Sequence, residues 1–153
     1  MTHLGNLISS LRSVNISRYQ KLFRYESFLR NYNSQDWDNF LNKKEINNFQ
    51  KNLVHRDEQF EMFLINWPVN YEGKIHNHAK NGCLLKVLKG TLQESIYLPN
   101  LDLQDIKIRE KGNISYLDDS IGYHHIKNNN FNNSISLHIY SPPYHQTEYY
   151  DNI

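Results

Sequence analysis

A change of period near Asn48 restricts what this chain can fold into. Before it, apolar residues recur at helical spacing; after it, they gather in short runs dense in strand formers. Leu4, Leu7, Ile8 and Leu11 fall three and four apart, with Thr2 placed to cap an amphipathic helix. Tyr19, Leu22, Phe23, Phe28 and Leu29 predict a second helix, and Ser34 ahead of Trp37, Phe40 and Leu41 a third. The later runs are Phe60–Trp67, Cys83–Leu88, Leu92–Leu98, Ile114–Leu117, Ile121–Ile126 and Ile135–Tyr140, separated by Gly, Asp and Asn clusters. Leu88-Lys89-Gly90-Thr91 reads as a tight turn, and Pro99-Asn100 as the end of a strand. Many short strands with regular turns predict a mainly β protein, a barrel or a sandwich. No Pro/Gly/Ser linker divides the two parts, so the helices are expected to cap a single domain. The cap covers about residues 1–47 and the barrel about 48–145, with Asn128–Asn133 as one exposed loop.

A chain of 153 residues suits one domain. Seventeen Lys and Arg against sixteen Asp and Glu leave a charge of +1, which disfavours a globally basic nucleic-acid binder. No apolar run approaches the roughly 20 residues that span a bilayer, so no membrane helix is expected. The opening MTHLGNLISSLRSV lacks the basic region and solid apolar stretch of a secretory leader, which predicts a cytoplasmic protein. Cys83, the single cysteine, excludes an internal disulfide framework and a multi-cysteine zinc site, and it fits a reducing compartment. Neither a phosphate-binding glycine loop nor a serine-hydrolase elbow is present.

The chemistry sits in the histidines. In Ile75-His76-Asn77-His78 the two imidazoles are two residues apart, so on a strand they share a face and can meet one ion. His124 and His125 fall in a later strand, where only one of the two can point inward. Ser136, His138 and Tyr140 share a face of the last predicted strand. A barrel's inward faces converge on one cavity. Three neutral imidazoles with no carboxylate nearby would suit Fe, Zn, Cu or Ni.

Three separated blocks resemble the cysteine dioxygenases, iron-dependent thiol dioxygenases of the cupin superfamily. They are Ile75–Gly90 with Cys83 five residues after His78, Asp119-Ser120-Ile121-Gly122-Tyr123-His124 with Asn128 beyond it, and Ser136 through Pro143. The resemblance runs from about Phe49 to Pro143 and implies a cupin, a jelly-roll-like β-barrel, with a short N-terminal helical cap. It implies Fe(II) held by His76, His78 and His124, a thioether between Cys83 and Tyr140, and a Ser136–His138–Tyr140 relay. It also makes Trp67 a pocket residue. Where the family carries an arginine for the substrate carboxylate, this register has Lys51; the family's nearby tyrosine becomes Phe49, and Arg56 is the other cation within reach. Lysine keeps the charge and loses the planar fork.

The resemblance therefore implies an enzyme that oxidises L-cysteine to cysteine sulfinic acid with O2, acting as a monomer on a small-molecule thiol. A dioxygenase for another small thiol, of the 3-mercaptopropionate or cysteamine type, is the near alternative, since Lys51 and Phe49 alter the substrate end. A cupin isomerase or hydrolase with another divalent metal lies further off, because Cys83 and Tyr140 argue against it. A non-catalytic metal-binding cupin is the alternative outside enzymes. Ser141-Pro142-Pro143 is a place for a cis peptide beside Tyr140.

Overall fold

A computed structural model of the chain describes residues 2–16 and 20–151. It opens with α1 (Leu4–Ser13). His3, one residue later than expected, is the N-cap of this helix, and its backbone N–H donates to Asn6 Oδ1 at 3.2 Å. Thr2 instead donates its backbone N–H to Asn33 Oδ1, 2.8 Å away, tying the first residues to the end of the second helical segment. That segment is a 3-10 turn, Leu22–Tyr25, running into α2 (Glu26–Asn31); Tyr19 lies outside the described residues. The third expected helix is a 3-10 turn over Asp36–Phe40, and Ser34 Oγ accepts from the Asp36 N–H at 3.2 Å just before it. Another 3-10 turn, Lys43–Glu45, leads into the strands.

Those strands are β1 (Gln50–Arg56), β2 (Glu61–Trp67), β3 (Ile75–His76), β4 (Cys83–Lys89), β5 (Thr91–Tyr97), β6 (Leu103–Glu110), β7 (Ile114–Leu117), β8 (Tyr123–Lys127), β9 (Ser134–Tyr140) and β10 (Tyr149–Tyr150). They form two antiparallel sheets, in the orders β1-β2-β9-β4-β7 and β10-β3-β8-β5-β6. The tight turn at Gly90, with φ of 75°, carries the chain from β4 in the first sheet to β5 in the second. Gln50–Arg56, Leu103–Glu110 and Tyr149–Tyr150 are strands beyond the runs picked out above, and β10 extends the pairing past residue 145.

The central strands of the first sheet, β2, β9 and β4, are buried on both faces, and strand alternation divides their side chains between two cores. Met62 and Leu64 of β2, Leu84 of β4, and Ile135, Leu137 and Ile139 of β9 pack under the cap against Leu4, Leu7, Leu11, Leu22 and Leu29. The intervening residues Phe63, Ile65 and Trp67, with Leu85 and Val87, face the second sheet and meet Leu92 and Ile126. The same parity sends Cys83 and the set Ser136, His138 and Tyr140 to the interior. The Asn-rich loop is not wholly exposed: Asn128 is 0% exposed and donates through Nδ2 to the carbonyls of Trp67 and Asn132 at 2.9 and 3.0 Å. A buried amide here satisfies carbonyls that the irregular backbone leaves open.

Candidate metal centre

His76 at the end of β3 and His124 in β8 are direct partners across the second sheet, and His78 follows two residues beyond β3. One ligand atom from each of the three histidines lies within 4.8 Å of the other two. Nε2 of His76 and Nε2 of His124 are 3.0 Å apart. Each of these rings is fixed from behind. His76 Nδ1 donates to the Lys74 carbonyl at 2.9 Å, and His124 Nδ1 lies 2.7 Å from Glu94 Oε2, so both Nε2 lone pairs are turned to the shared point. His78 Nε2 is buried without a hydrogen-bond partner among the described residues, while its backbone N–H donates to Asp119 Oδ1 at 2.8 Å. Burial holds His78 down to about 4, with the His124 ring adding to the effect and Asp119 opposing it. Burial likewise holds His76 well below the ordinary histidine range. Convergent, in one case orphaned, and with His76 and His78 kept neutral by burial, the three imidazoles fit a transition-metal ion.

His125 faces the other way, as the alternation requires. Its Nε2 lies 3.1 Å from Glu72 Oε1 and its ring sits 5.7 Å from that of Tyr97.

The expectation of no nearby carboxylate is overturned. Glu94 in β5 is 0% exposed and stands directly behind His124. Its Oε1 accepts from Ser115 Oγ at 2.7 Å and from Arg109 Nε and Nη2 at 3.0 and 2.8 Å. Burial opposes ionisation, but His124, Ser115 and Arg109 outweigh it and hold the carboxyl well below its usual range. The available signal was its parity: Leu92, Glu94 and Ile96 share the inward face of a strand otherwise apolar there.

Beside the imidazoles runs a second line of hydrogen bonds. Trp67 Nε1 donates to Ser136 Oγ at 2.8 Å, and Ser136 Oγ lies 2.7 Å from His138 Nε2. His138 Nδ1 lies 3.3 Å from the Tyr140 hydroxyl. Burial holds His138 well below the ordinary range and Tyr140 well above it, so both are uncharged. With Trp67 donating to Ser136, the serine hydroxyl in turn donates its hydrogen bond to His138 Nε2. His138 Nδ1–H then faces the Tyr140 hydroxyl, which also stands within hydrogen-bonding reach of the Cys83 sulfur. Cys83 is the register partner of Tyr140 between β4 and β9, buried, with Sγ 3.9 Å from His138 Nδ1. Burial and the nearby Glu94 charge push its thiol up to about 12.

A cavity of about 480 Å³ opens beside His76 and His124, bounded by Lys51, Tyr140, Trp67 and Phe49. Phe49 stacks on Tyr71 with centroids 4.6 Å apart and meets the Trp67 ring edge-on at 5.4 Å. Lys51 Nζ lies 4.5 Å from the Phe63 ring centroid and 5.3 Å from that of Tyr140, with no hydrogen-bond or ion-pair partner among the described residues. Burial lowers its pKa, with Glu61 working against that. Arg56, by contrast, is occupied: its Nε donates to Glu61 Oε2 at 2.8 Å and its guanidinium covers the Tyr144 ring at 4.4 Å. Ser141–Pro142 is cis.

Two facing antiparallel sheets around a three-histidine site define a metal-binding protein of the cupin type. Among solved structures, a double-stranded β-helix protein from Klebsiella pneumoniae superposes with a TM-score of 0.63 at 11% identity, covering 79% of this chain and 99% of that one. An RmlC-like cupin from Shewanella frigidimarina gives 0.53 at 14% identity, over 64% of this chain and 79% of that one. In sequence, residues 4–153 match the family model of cysteine dioxygenase type I. Cysteine dioxygenase type 1 of Danio rerio is 30% identical over 149 residues, covering 91% of this chain and 71% of the relative. The Rattus norvegicus protein of the same name is 28% identical over 151 residues, covering 90% and 70%. The chain belongs to the cysteine dioxygenase type I family and, with it, to the non-haem metal oxidoreductases.

Proposed function

We propose that this protein is an Fe(II)-dependent dioxygenase that converts a small thiol carboxylate, L-cysteine first among them, to its sulfinic acid: R–SH + O2 → R–SO2H. Both oxygen atoms enter the sulfur, so no further oxidant or reductant is needed. The observation that carries the reading is a cation, Lys51, with no hydrogen-bond or ion-pair partner among the described residues, standing over Tyr140 at the edge of a trihistidine site. The iron, held by His76, His78 and His124, would bind the substrate as thiolate and activate dioxygen. The protein's own residues do the rest. Lys51 draws the carboxylate as a point charge and so fixes which end of the thiol faces the histidines. The Trp67–Ser136–His138 line holds the Tyr140 hydroxyl toward the reacting sulfur and oxygen. Phe49, Trp67 and Tyr71 form a wall that limits water. Bonding of Cys83 Sγ to the Tyr140 ring, with O2 as the electron acceptor, would lock that ring in place and remove a competing thiol from beside the metal. The same reading makes cap and barrel one domain, working as a monomer in the cytoplasm, where a lone reduced cysteine is at home.

Lys51 and Phe49 also favour a second substrate. A single ammonium recognises a carboxylate without the two-point geometry of arginine, so 3-mercaptopropionate, which lacks the amine, is accepted alongside cysteine. Oxygen uptake and sulfinate formation by Fe(II)-loaded protein with L-cysteine, 3-mercaptopropionate and cysteamine test both readings. Turnover of the two carboxylates with little of cysteamine is expected. Absence of uptake with every thiol, iron being bound, overturns the proposal.

A further inference from the structure

Mononuclear iron oxygenases commonly use two histidines and a carboxylate, so that the metal gains one negative charge from its ligands. Here the three ligand side chains are neutral, and the carboxylate stands one hydrogen bond further out. We infer that Glu94 is a positioning residue for the metal centre, supplying through His124 the negative charge that the ligand set lacks. This rests on the proposed assignment of His124 as a metal ligand.

The three imidazoles are not backed equally. His76 Nδ1 donates to a neutral backbone carbonyl, that of Lys74 at 2.9 Å. His78 Nδ1 lies 3.4 Å from Asp119 Oδ1, on a carboxylate 45% exposed and therefore screened by water. Only His124 has a fully buried carboxylate behind it, at 2.7 Å. A carboxylate on the far nitrogen fixes the tautomer and raises the basicity of the coordinating one.

The barrel holds Glu94 in that role from three strands. Ile96 of β5 is the register partner of His124 in β8, which makes Glu94 its diagonal neighbour. On the other flank Arg109 of β6 is the partner of Leu92, again diagonal to Glu94. Histidine, glutamate and arginine thus cross the sheet in one line. Ser115 in β7 closes the arrangement from the opposite sheet. Three donors on Oε1 leave Oε2 a single orientation, toward His124 Nδ1. Arg109 balances the buried charge of Glu94 and leaves its Oε2 free to accept from His124 Nδ1.

The test uses Glu94→Gln, which keeps the volume and an acceptor oxygen but removes the charge. Co(II) affinity measured by chelator competition should fall about 10- to 100-fold, the range seen when such outer partners are changed. The Fe(III)/Fe(II) potential should move in the positive direction, because loss of a nearby negative charge disfavours the ferric ion more than the ferrous. A purely structural glutamate would leave that potential where it is. Wild-type affinity and potential in Glu94→Gln overturn the inference. Should that variant not fold, Ser115→Ala removes one donor from Oε1 and keeps the charge; it should weaken Co(II) binding several-fold, and parity with wild type is equally decisive. Failure of the wild type to bind Co(II) or Fe(II) would instead remove the three-histidine reading itself, and this inference with it.

Discussion

Lys51 places the choice of substrate in one ammonium group. Its Nζ rests over the Phe63 and Tyr140 rings without an ion-pair partner among the described residues, while Arg56 nearby is bound to Glu61. A charge-assisted hydrogen bond contributes about 1.5–3 kcal/mol, or roughly 10- to 100-fold in binding. Lys51→Ala should therefore raise KM for cysteine and 3-mercaptopropionate by about that factor and leave the weak turnover of cysteamine unchanged. Steady-state oxygen uptake measures both, and an equal effect on all three thiols would show that Lys51 acts on the fold instead. At this scale the sequence was readable where a residue type has few other uses. The H-x-H spacing is such a case, since it brings His76 and His78 together although only His76 lies in a strand, whereas the pairing of Cys83 with Tyr140 came from the family resemblance. Glu94 was not readable in the same way, because a strand glutamate ordinarily faces water. Its partners Arg109, Ser115 and His124 are 15, 21 and 30 residues away, so no local pattern announces them.

Elements are held in place by groups that interrupt the apolar pattern. Lys86 lies among the buried residues of β4, yet its Nζ donates to the carbonyls of Leu29, Arg30 and Tyr32 at 3.0, 3.3 and 2.6 Å. These belong to the end of α2 and the residue that follows, where a helix leaves carbonyls without partners. Lys86→Met fills the space but orphans them, and it should cost about 2–3 kcal/mol in a denaturant titration while leaving Co(II) affinity intact. Gly122 is a second such point. It has φ of 155°, and a Cβ there would overlap the Tyr97 carbonyl oxygen. Gly122→Ala should destabilise the protein by about 3 kcal/mol or more and weaken metal binding, since it displaces the start of the strand that carries His124. Strands sandwiched between cap and second sheet, such as β2 and β9, read clearly because both faces are buried and the one under the cap is mainly apolar. The edge strand β6 did not. Its residues alternate charge with isoleucine, the period of a strand, but Ile106 and Ile108 remain 51% and 57% exposed, so the alternation marks no apolar buried face. The first cap helix spans its expected run, whereas the second and third came out as short pieces with 3-10 turns, because packing on the sheet rather than helix propensity holds them.

For the molecule as a whole, the buried imidazoles set the acid limit of the fold. His76, His78 and His138 are all held below the ordinary histidine range, chiefly by burial, and His78 down to about 4. Unfolding releases these rings to water, where they take up protons near the ordinary value of about 6.5. Below that pH the unfolded chain binds more protons than the folded one, so stability must fall as pH falls. Their contribution is complete above about 6.5 and is lost through the folded value, near 4 for His78. The carboxylates of Asp36, Asp57, Asp118 and Glu94 are also held below their usual range, so what they add disappears at still lower pH. Denaturant midpoints of the metal-free protein should be level from pH 8 to 7, decline from about 6.5, and steepen below about 4 as the carboxylates follow. Metal-loaded protein should hold its midpoint further into acid, because the ion and the proton compete for the same nitrogens, and then lose the metal and the added stability together. Stability of the metal-free protein that stays level from pH 7 to 5 would show that these rings are not neutral and buried in the folded chain. Equal acid profiles with and without metal would leave the folded state intact and remove the histidines as its ligands.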